Sequence, residues 1–318
     1  MENSHNSGKT LLPHETDQTF LMDGGCETTL IFLENLDLPH FASFALLDTE
    51  DGVAALKRYF HTHLGTARAH GHGFVMETAT WRASADWGAL LGYDADGLSD
   101  VNVRAVTLLK EVLAEAGTLD IPVILSGCIG PRGDGYISGV EMTPDEAFLY
   151  HRPQAEALAR GGVEMMTGLT MTYANEAIGI VRAAQSVNTP VAISFTTELD
   201  GRLPNGQSMA AFIDQVDQAT QGGPAYYMIN CAHPDHFRQS LEAGGSWRQR
   251  ILGLRANASR QSHAELDEAE VLDAGDPAET GRDYVSLRQL MPQLRVFGGC
   301  CGTDHRHLEH VCAELQAA

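Results

Sequence analysis

A short apolar run, a loop and an amphipathic helical stretch recur eight times between Phe20 and the C-terminus. This beat restricts the fold more than any single motif. Strand-like runs are predicted at 20–22, 73–76, 121–125, 163–166, 191–195, 225–229, 251–254 and 295–297. Helical patterns lie between them, at 50–69, 99–116, 144–160, 174–186, 208–220, 236–243, 284–290 and from Asp304 onward. The runs do not alternate apolar with polar residues, which is the pattern of a parallel sheet buried on both faces. Eight such units in about 300 residues predict an α/β fold, a (β/α)8 TIM barrel. A doubly wound open sheet is the competing architecture. It usually has fewer strands, and no G-x-G-x-x-G opening is present.

The barrel is expected to be a single domain over 20–318, preceded by a polar, poorly ordered tail over 1–19. The totals limit its partners. Acidic residues number 42 against 21 basic, a formal charge of -21, and nucleic acids and anionic membranes both require a basic footprint. No apolar run reaches eighteen residues and the N-terminus has no apolar signal core, so a cytoplasmic location is the default expectation. A homo-oligomer is left open. Six cysteines in so long a chain do not make a disulfide framework; in a reducing compartment they suit a metal or catalysis better.

Sites on such barrels lie on the loops after the C-terminal strand ends. The last strand delivers Phe297-Gly-Gly-Cys-Cys-Gly-Thr303, two adjacent thiols on a glycine turn. Neighbouring cysteines rarely bridge each other, whereas paired thiolates suit a soft metal, most often zinc. The sixth strand delivers Asn230-Cys231 to the same rim. Three thiolates leave one position of a tetrahedral zinc open, the arrangement of a catalytic site. Read alone, Cys231 would be a small buried hydrophobe; its place on the rim makes it the third ligand candidate. The other strands deliver Asp23-Gly-Gly-Cys-Glu27, Glu77-Thr-Ala-Thr-Trp-Arg82, Ser126-Gly-Cys-Ile-Gly-Pro-Arg132, Thr167-Gly-Leu-Thr170, Thr196-Thr-Glu198, and Arg255 with Asn257.

Gly-Gly-Cys-Cys-Gly-Thr at 298–303, Ile-Asn-Cys at 229–231 and Asp-Gly-Gly at 23–25 resemble the homocysteine S-methyltransferases, betaine-dependent and S-methylmethionine-dependent enzymes among them. The resemblance runs over roughly the whole predicted barrel and implies its fold and chemistry. It implies Zn2+ held by Cys231, Cys300 and Cys301, with the substrate thiol as fourth ligand, deprotonated by coordination. The thiolate then attacks a methyl group on a sulfonium, quaternary ammonium or other activated donor, and the enzyme mainly holds the reactants in line. The partners implied are thus a small-molecule thiol and a methyl donor. The turn Asp23, Gly24 and Gly25 is implied at the substrate pocket, and Glu27, Glu77, Thr78, Trp81 and Asn230 are candidates to line it.

Two departures bear on the acceptor. Where the family ends its fourth strand in Glu-Thr, with the glutamate helping to hold homocysteine, this chain has Leu169-Thr170. A leucine cannot pair with an ammonium, and losing such a partner changes substrate choice. Where the family commonly has Thr-Asn-Thr after the second strand, this chain has Thr78-Ala79-Thr80. The acceptor is therefore homocysteine or a related thiol or selenol, and Glu77 or Glu27 could replace the missing carboxylate. A demethylase acting on an osmolyte-like donor, or a zinc or thiol binder without turnover, are the alternatives.

Other residues carry double readings. Cys26 and Cys128 lie on rim loops and could add a zinc ligand. His233, two residues past Cys231, could touch substrate or metal. Trp81 and Trp87 could box a methylated cation, although packing under the loop is the more ordinary role, and Tyr173 is a similar candidate. Arg132 and Arg255 could bind a substrate carboxylate or pair with the surplus acids. The segment 263–283, with eight acidic residues and one arginine, reads as a solvated excursion or as a flap or oligomer contact.

Overall fold

The computed structural model describes residues 11–269 and 271–318. Eight parallel strands close on themselves in chain order, each hydrogen-bonded to the next and the last to the first. In sequence the elements are β1 (Phe20–Leu21), α1 (Glu50–Ala69), β2 (Gly73–Glu77), α2 (Ala85–Leu90), α3 (Ala95–Ala116), β3 (Val123–Ile129) and α4 (Pro144–Gly161). They continue with β4 (Met165–Met171), α5 (Ala174–Ser186), β5 (Val191–Phe195), α6 (Met209–Thr220), β6 (Tyr226–Asn230) and α7 (Pro234–Glu242). β7 (Ile251–Ala256), α8 (His263–Asp267), α9 (Pro277–Leu290), β8 (Val296–Gly299) and α10 (His305–Ala317) complete the chain. This is the (β/α)8 barrel predicted from the repeating pattern.

Successive strand side chains face opposite ways, so each strand supplies two layers of core. Phe20, Met22, Val75, Ile124, Met165, Ala192, Tyr226, Met228 and Val296 pack inside the barrel. Their neighbours Leu21, Phe74, Met76, Leu125, Met166, Ile193, Tyr227, Ile229 and Phe297 pack outward against the helices. Both layers are apolar, which is why the strands read as unbroken runs. Leu12 joins the interior layer, with 2% exposure, and Arg295 Nη1 lies 3.1 Å from Asp17 Oδ1. Residues 11–19 are thus packed onto the barrel rather than forming part of a free tail; residues 1–10 lie outside the described residues.

Helix boundaries follow local chemistry. Thr49, Asp94 and Ser208 cap α1, α3 and α6 by accepting from the amides of Gly52, Gly97 and Ala211. Thr143 and Glu146 cap α4 reciprocally, and Gly162 ends it in the left-handed region. Six of the eight strands run one to five residues beyond their expected C-terminal ends. Most of those extra residues are polar or glycine at the rim, with the apolar Ile129, Leu169, Met171 and Ala256 interspersed. No helix of the described residues is long and apolar enough to cross a membrane.

Candidate active site

Strands β6 and β8 end on either side of β7, and that adjacency assembles the sulfurs. Cys231 adopts a φ of 52°, uncommon for a residue with a side chain. Its amide donates to Arg255 O at 3.1 Å, while the Cys300 amide donates to Ala256 O at 2.9 Å. Both cysteines are therefore pinned to β7. The Sγ atoms of Cys231, Cys300 and Cys301 lie within 4.8 Å of one another. Cys231 and Cys300 are joined as a disulfide, with Cα atoms 5.3 Å apart. A single bridge is no framework, but it departs from the expectation of free thiols. Metal ligation needs thiolates, so two of the three sulfurs become available on reduction. The reduced trio, soft donors converging at the barrel mouth, could hold a metal ion. Cys26 and Cys128 also line the cavity; burial pushes both thiols up, and the trio excludes them.

Tyr136 and His263, which the sequence did not single out, and Asn230, which it did, surround the sulfurs. Tyr136 Oη lies 3.3 Å from Cys301 Sγ, and its ring stacks on His263 at 4.2 Å between centroids. His263 Nε2 donates to Cys231 O at 2.7 Å. Asn230 Oδ1 accepts from the Thr170 amide and Ser194 Oγ, its Nδ2 donates to Thr170 Oγ1 at 2.8 Å, and Nδ2 lies 4.0 Å from Cys300 Sγ. Asn230 thus ties β4, β5 and β6 together beside the cluster. Tyr136 sits in the glycine-rich loop after β3, so only folding could aim it.

A buried ion cluster forms the floor beside the sulfurs. Arg255 Nη1 donates to Glu77 Oε2 at 2.6 Å, Nη2 to Gly24 O at 3.2 Å and Nε to Gly299 O at 3.1 Å. Nη2 also lies 2.7 Å from Asp23 Oδ1, an ion-pair contact without hydrogen-bond geometry, since that oxygen has no hydrogen-bond donor. Tyr59 Oη donates to Asp23 Oδ2 at 2.9 Å. Burial alone would lower Arg255, but Asp23 and Glu77 outweigh it and hold the guanidinium charged. Burial pushes Glu77 up, against the pull of Arg255. Of the two readings of Arg255, the salt bridge is the one realised: its donors are turned to the protein. Glu77, one of the two carboxylates expected to stand in at position 169, is committed to that pair.

The cavity above encloses about 540 Å³ and is lined in part by Leu169, Trp81, Ile31, Phe41, Leu266 and Val271. Gly24, Gly25, Glu27 and Thr78 also line it. Gly25 leaves no room for a side chain: a Cβ there would lie 2.5 Å from Cys300 O. Glu27 accepts from Ser43 Oγ at 2.7 Å and is pushed up chiefly by burial. Thr78 Oγ1 accepts from the Cys128 amide at 2.9 Å, locking β2 to β3. The acidic segment, Glu270 aside, contributes Leu266, Asp267, Ala269, Val271, Leu272 and Asp273 to the cavity wall, while Val271 stays 79% exposed.

Other expectations change. His233 caps α7, its Nδ1 accepting from the Asp235 amide at 3.2 Å, and it is not among the cavity-lining residues. Arg132 pairs with Asp86 at 2.7 Å near the surface. Tyr173 is buried, its Oη accepting from the Met142 amide. The space between Trp81 and Trp87 is filled by Arg82, whose Cζ lies 4.1 Å and 3.7 Å from the two ring centroids. The flanking tryptophans were legible in the chain; the cation between them was not.

Comparison with known proteins accounts for this rim. Residues 20–315 match the homocysteine S-methyltransferase family. The chain is 25% identical over 242 residues to homocysteine S-methyltransferase YbgG of Bacillus subtilis (strain 168), covering 70% of this chain and 74% of that protein. Its fold is similar to crystal structures of the Escherichia coli homocysteine methyltransferase MmuM. The metallated form gives a TM-score of 0.72 at 16% identity, covering 94% of this chain and 96% of that one. The oxidized form gives 0.72 at 19%, covering 95% and 97%. Matched across nearly the whole barrel, with the three cysteines gathered where β6 and β8 end, the chain belongs to the homocysteine S-methyltransferase family and is a methyltransferase.

Proposed function

We propose that this protein is a zinc-dependent S-methyltransferase. It moves a methyl group from a sulfonium- or betaine-type donor to the thiolate of homocysteine or a related thiol or selenol. The observation carrying the reading is the convergence of Cys231, Cys300 and Cys301 within 4.8 Å at the cavity wall. Three thiolates match a catalytic zinc set with one position left for substrate. When bound, zinc supplies a Lewis acid that lowers the pKa of a coordinated thiol.

The chain's own residues do the rest. Asn230 and the hydrogen bonds that the cysteine amides donate to β7 carbonyls position Cys300 and Cys231. Tyr136 steadies Cys301. Leu266, Val271 and Leu272 add apolar side chains to the cavity wall, which limits water beside the methyl group and the nucleophile. Leu169 puts an apolar side chain, 8% exposed, on that wall. With Asp23 and Glu77 both on Arg255, an α-ammonium finds fewer free carboxylates than at an intact Glu-Thr pair.

The test is a metal determination on reduced protein alongside a screen of thiol acceptors against labelled sulfonium and betaine donors. We expect about one zinc per chain, a marked loss in Cys301→Ala, and label recovered on the thiol. Unchanged metal content in the variant would remove the zinc reading. Tight, stereospecific binding of L-homocysteine would remove the altered-acceptor part.

A further inference from the structure

Arg82 has no role in the chemistry above, yet it is a buried cation without an ion-pair partner among the described residues. It is 7% exposed and lines the cavity. Its guanidinium is held between the indoles of Trp81 and Trp87, which fixes the plane and shields both faces. Only Nη1 has a hydrogen-bond acceptor among the described residues, Gly133 O at 2.8 Å. Nε is buried without a partner. No carboxylate of the described residues pairs with it. Asp134 and Glu27 are the carboxylates that act on it electrostatically; Asp134 accepts from the amides of Tyr136 and Ile137 and Glu27 from Ser43. Burial lowers Arg82 to about 10, which leaves it charged at neutral pH.

A buried guanidinium with donors to spare calls for an acceptor, and a planar carboxylate matches its fork. Arg82 lines the same cavity as the three sulfurs. The loop carbonyl that Arg82 grips, Gly133, is three residues from Tyr136, which reaches Cys301. In the same cavity Leu169 offers no charge, and Asp23 and Glu77 are occupied by Arg255.

We propose that Arg82 binds the carboxylate of a substrate, and that the site selects carboxylate-bearing substrates lacking an α-ammonium. This rests on the reading of the cavity as the seat of thiol and methyl donor. The carboxylate belongs to either molecule, and the chemistry is the same.

The test reads binding, so it does not depend on turnover. Trp81 and Trp87 flank the guanidinium, so an arriving anion changes tryptophan fluorescence. Reduced full-length protein is titrated in two arms. The acceptor arm compares 3-mercaptopropionate with 2-mercaptoethanol; the donor arm compares 3-(dimethylsulfonio)propionate with trimethylsulfonium. In the arm that supplies the carboxylate, the charged probe should bind at least about tenfold more tightly than its neutral-ended partner. Arg82→Gln should abolish that preference while leaving the neutral-ended probe unaffected. If circular dichroism shows that Arg82→Gln does not fold, Arg82→Lys keeps the charge without the fork and should weaken the carboxylate probe several-fold. The proposal is overturned if neither arm shows a carboxylate preference, if the preference survives in Arg82→Gln, or if Arg82→Lys binds as tightly as wild type. Carboxylate binding without methyl transfer would leave this inference standing and sink the methyltransferase assignment of zinc and acceptor instead.

Discussion

Two residues of the cavity, Leu169 and Arg255, carry most of what distinguishes it. Leu169 occupies the position at which the family resemblance implies a glutamate for the homocysteine ammonium. Leu169→Glu is expected to tighten L-homocysteine binding by at least about tenfold relative to a thiol without an amino group, read by isothermal titration of the reduced protein. Equal gains for both thiols would show that charge recognition was not the missing element. Arg255 presents a different problem. Its neighbours Asp23 and Glu77 are buried, with 5% and 4% exposure, and depend on one guanidinium. Arg255→Met strands both carboxylates, and removing one partner of a buried ion pair costs roughly 3–5 kcal/mol. Urea unfolding at pH 7 measures this, and a loss below about 1 kcal/mol would mean the cluster is neutralised by proton uptake instead. Position 169 was legible in the sequence because the flanking residues set its register. The commitment of Arg255 was not, since Asp23, Glu77 and Arg255 come from β1, β2 and β7 and meet only in the closed barrel.

At the scale of elements, turns and caps carry the testable weight. The turn Asp23-Gly24-Gly25 abuts the cysteine turn, with Gly25 N donating to Thr303 O at 2.9 Å. Gly25→Ala would push its new carbon against Cys300 O and the Thr28 side chain. The expected result is a folded barrel with reduced zinc content; unchanged metal binding would show that the turn yields freely. In α1, His63 is buried, its Nδ1 donating to Tyr59 O at 2.9 Å. Burial lowers its pKa, with Asp23 and the Tyr59 carbonyl opposing. The unfolded chain therefore takes up the proton first as pH falls below about 6.5, so stability present above that pH is lost on acidification. His63→Leu should flatten the decline of Tm between pH 7 and 5, and an unchanged slope would assign the decline to other groups. Helix spans such as 50–69 and 174–186 were readable to the residue because caps and periodicity are local. Strand ends were less so: the polar rim residues of β3 and β4 have no apolar signature, and inter-strand pairing alone extends them.

For the whole molecule, the bridge between Cys231 and Cys300 couples redox state to metal capacity. Protein kept without reductant should bind little zinc, and reductant should restore it, as read by metal analysis. Zinc that binds only the folded state stabilises it by about 2.7 kcal/mol when free metal is roughly a hundredfold above Kd. A rise in Tm on adding zinc to reduced protein, absent in Cys301→Ala, is the expected signature. An equal rise in the variant would place the metal elsewhere.

The sequence by itself determined the barrel and the residues worth testing as ligands. Eight apolar runs in strict alternation with amphipathic helices leave few other ways to bury their surface, and side-chain chemistry marks thiols whatever the fold. Tertiary structure decided the partnerships. It put Arg82 rather than a ligand between two tryptophans, turned Arg255 toward Glu77, brought Tyr136 to Cys301 and set part of the acidic segment against the cavity wall. Each of these joins residues far apart in the chain or depends on the direction a loop takes. Local pattern carries no information about either, because such contacts form only when the barrel closes.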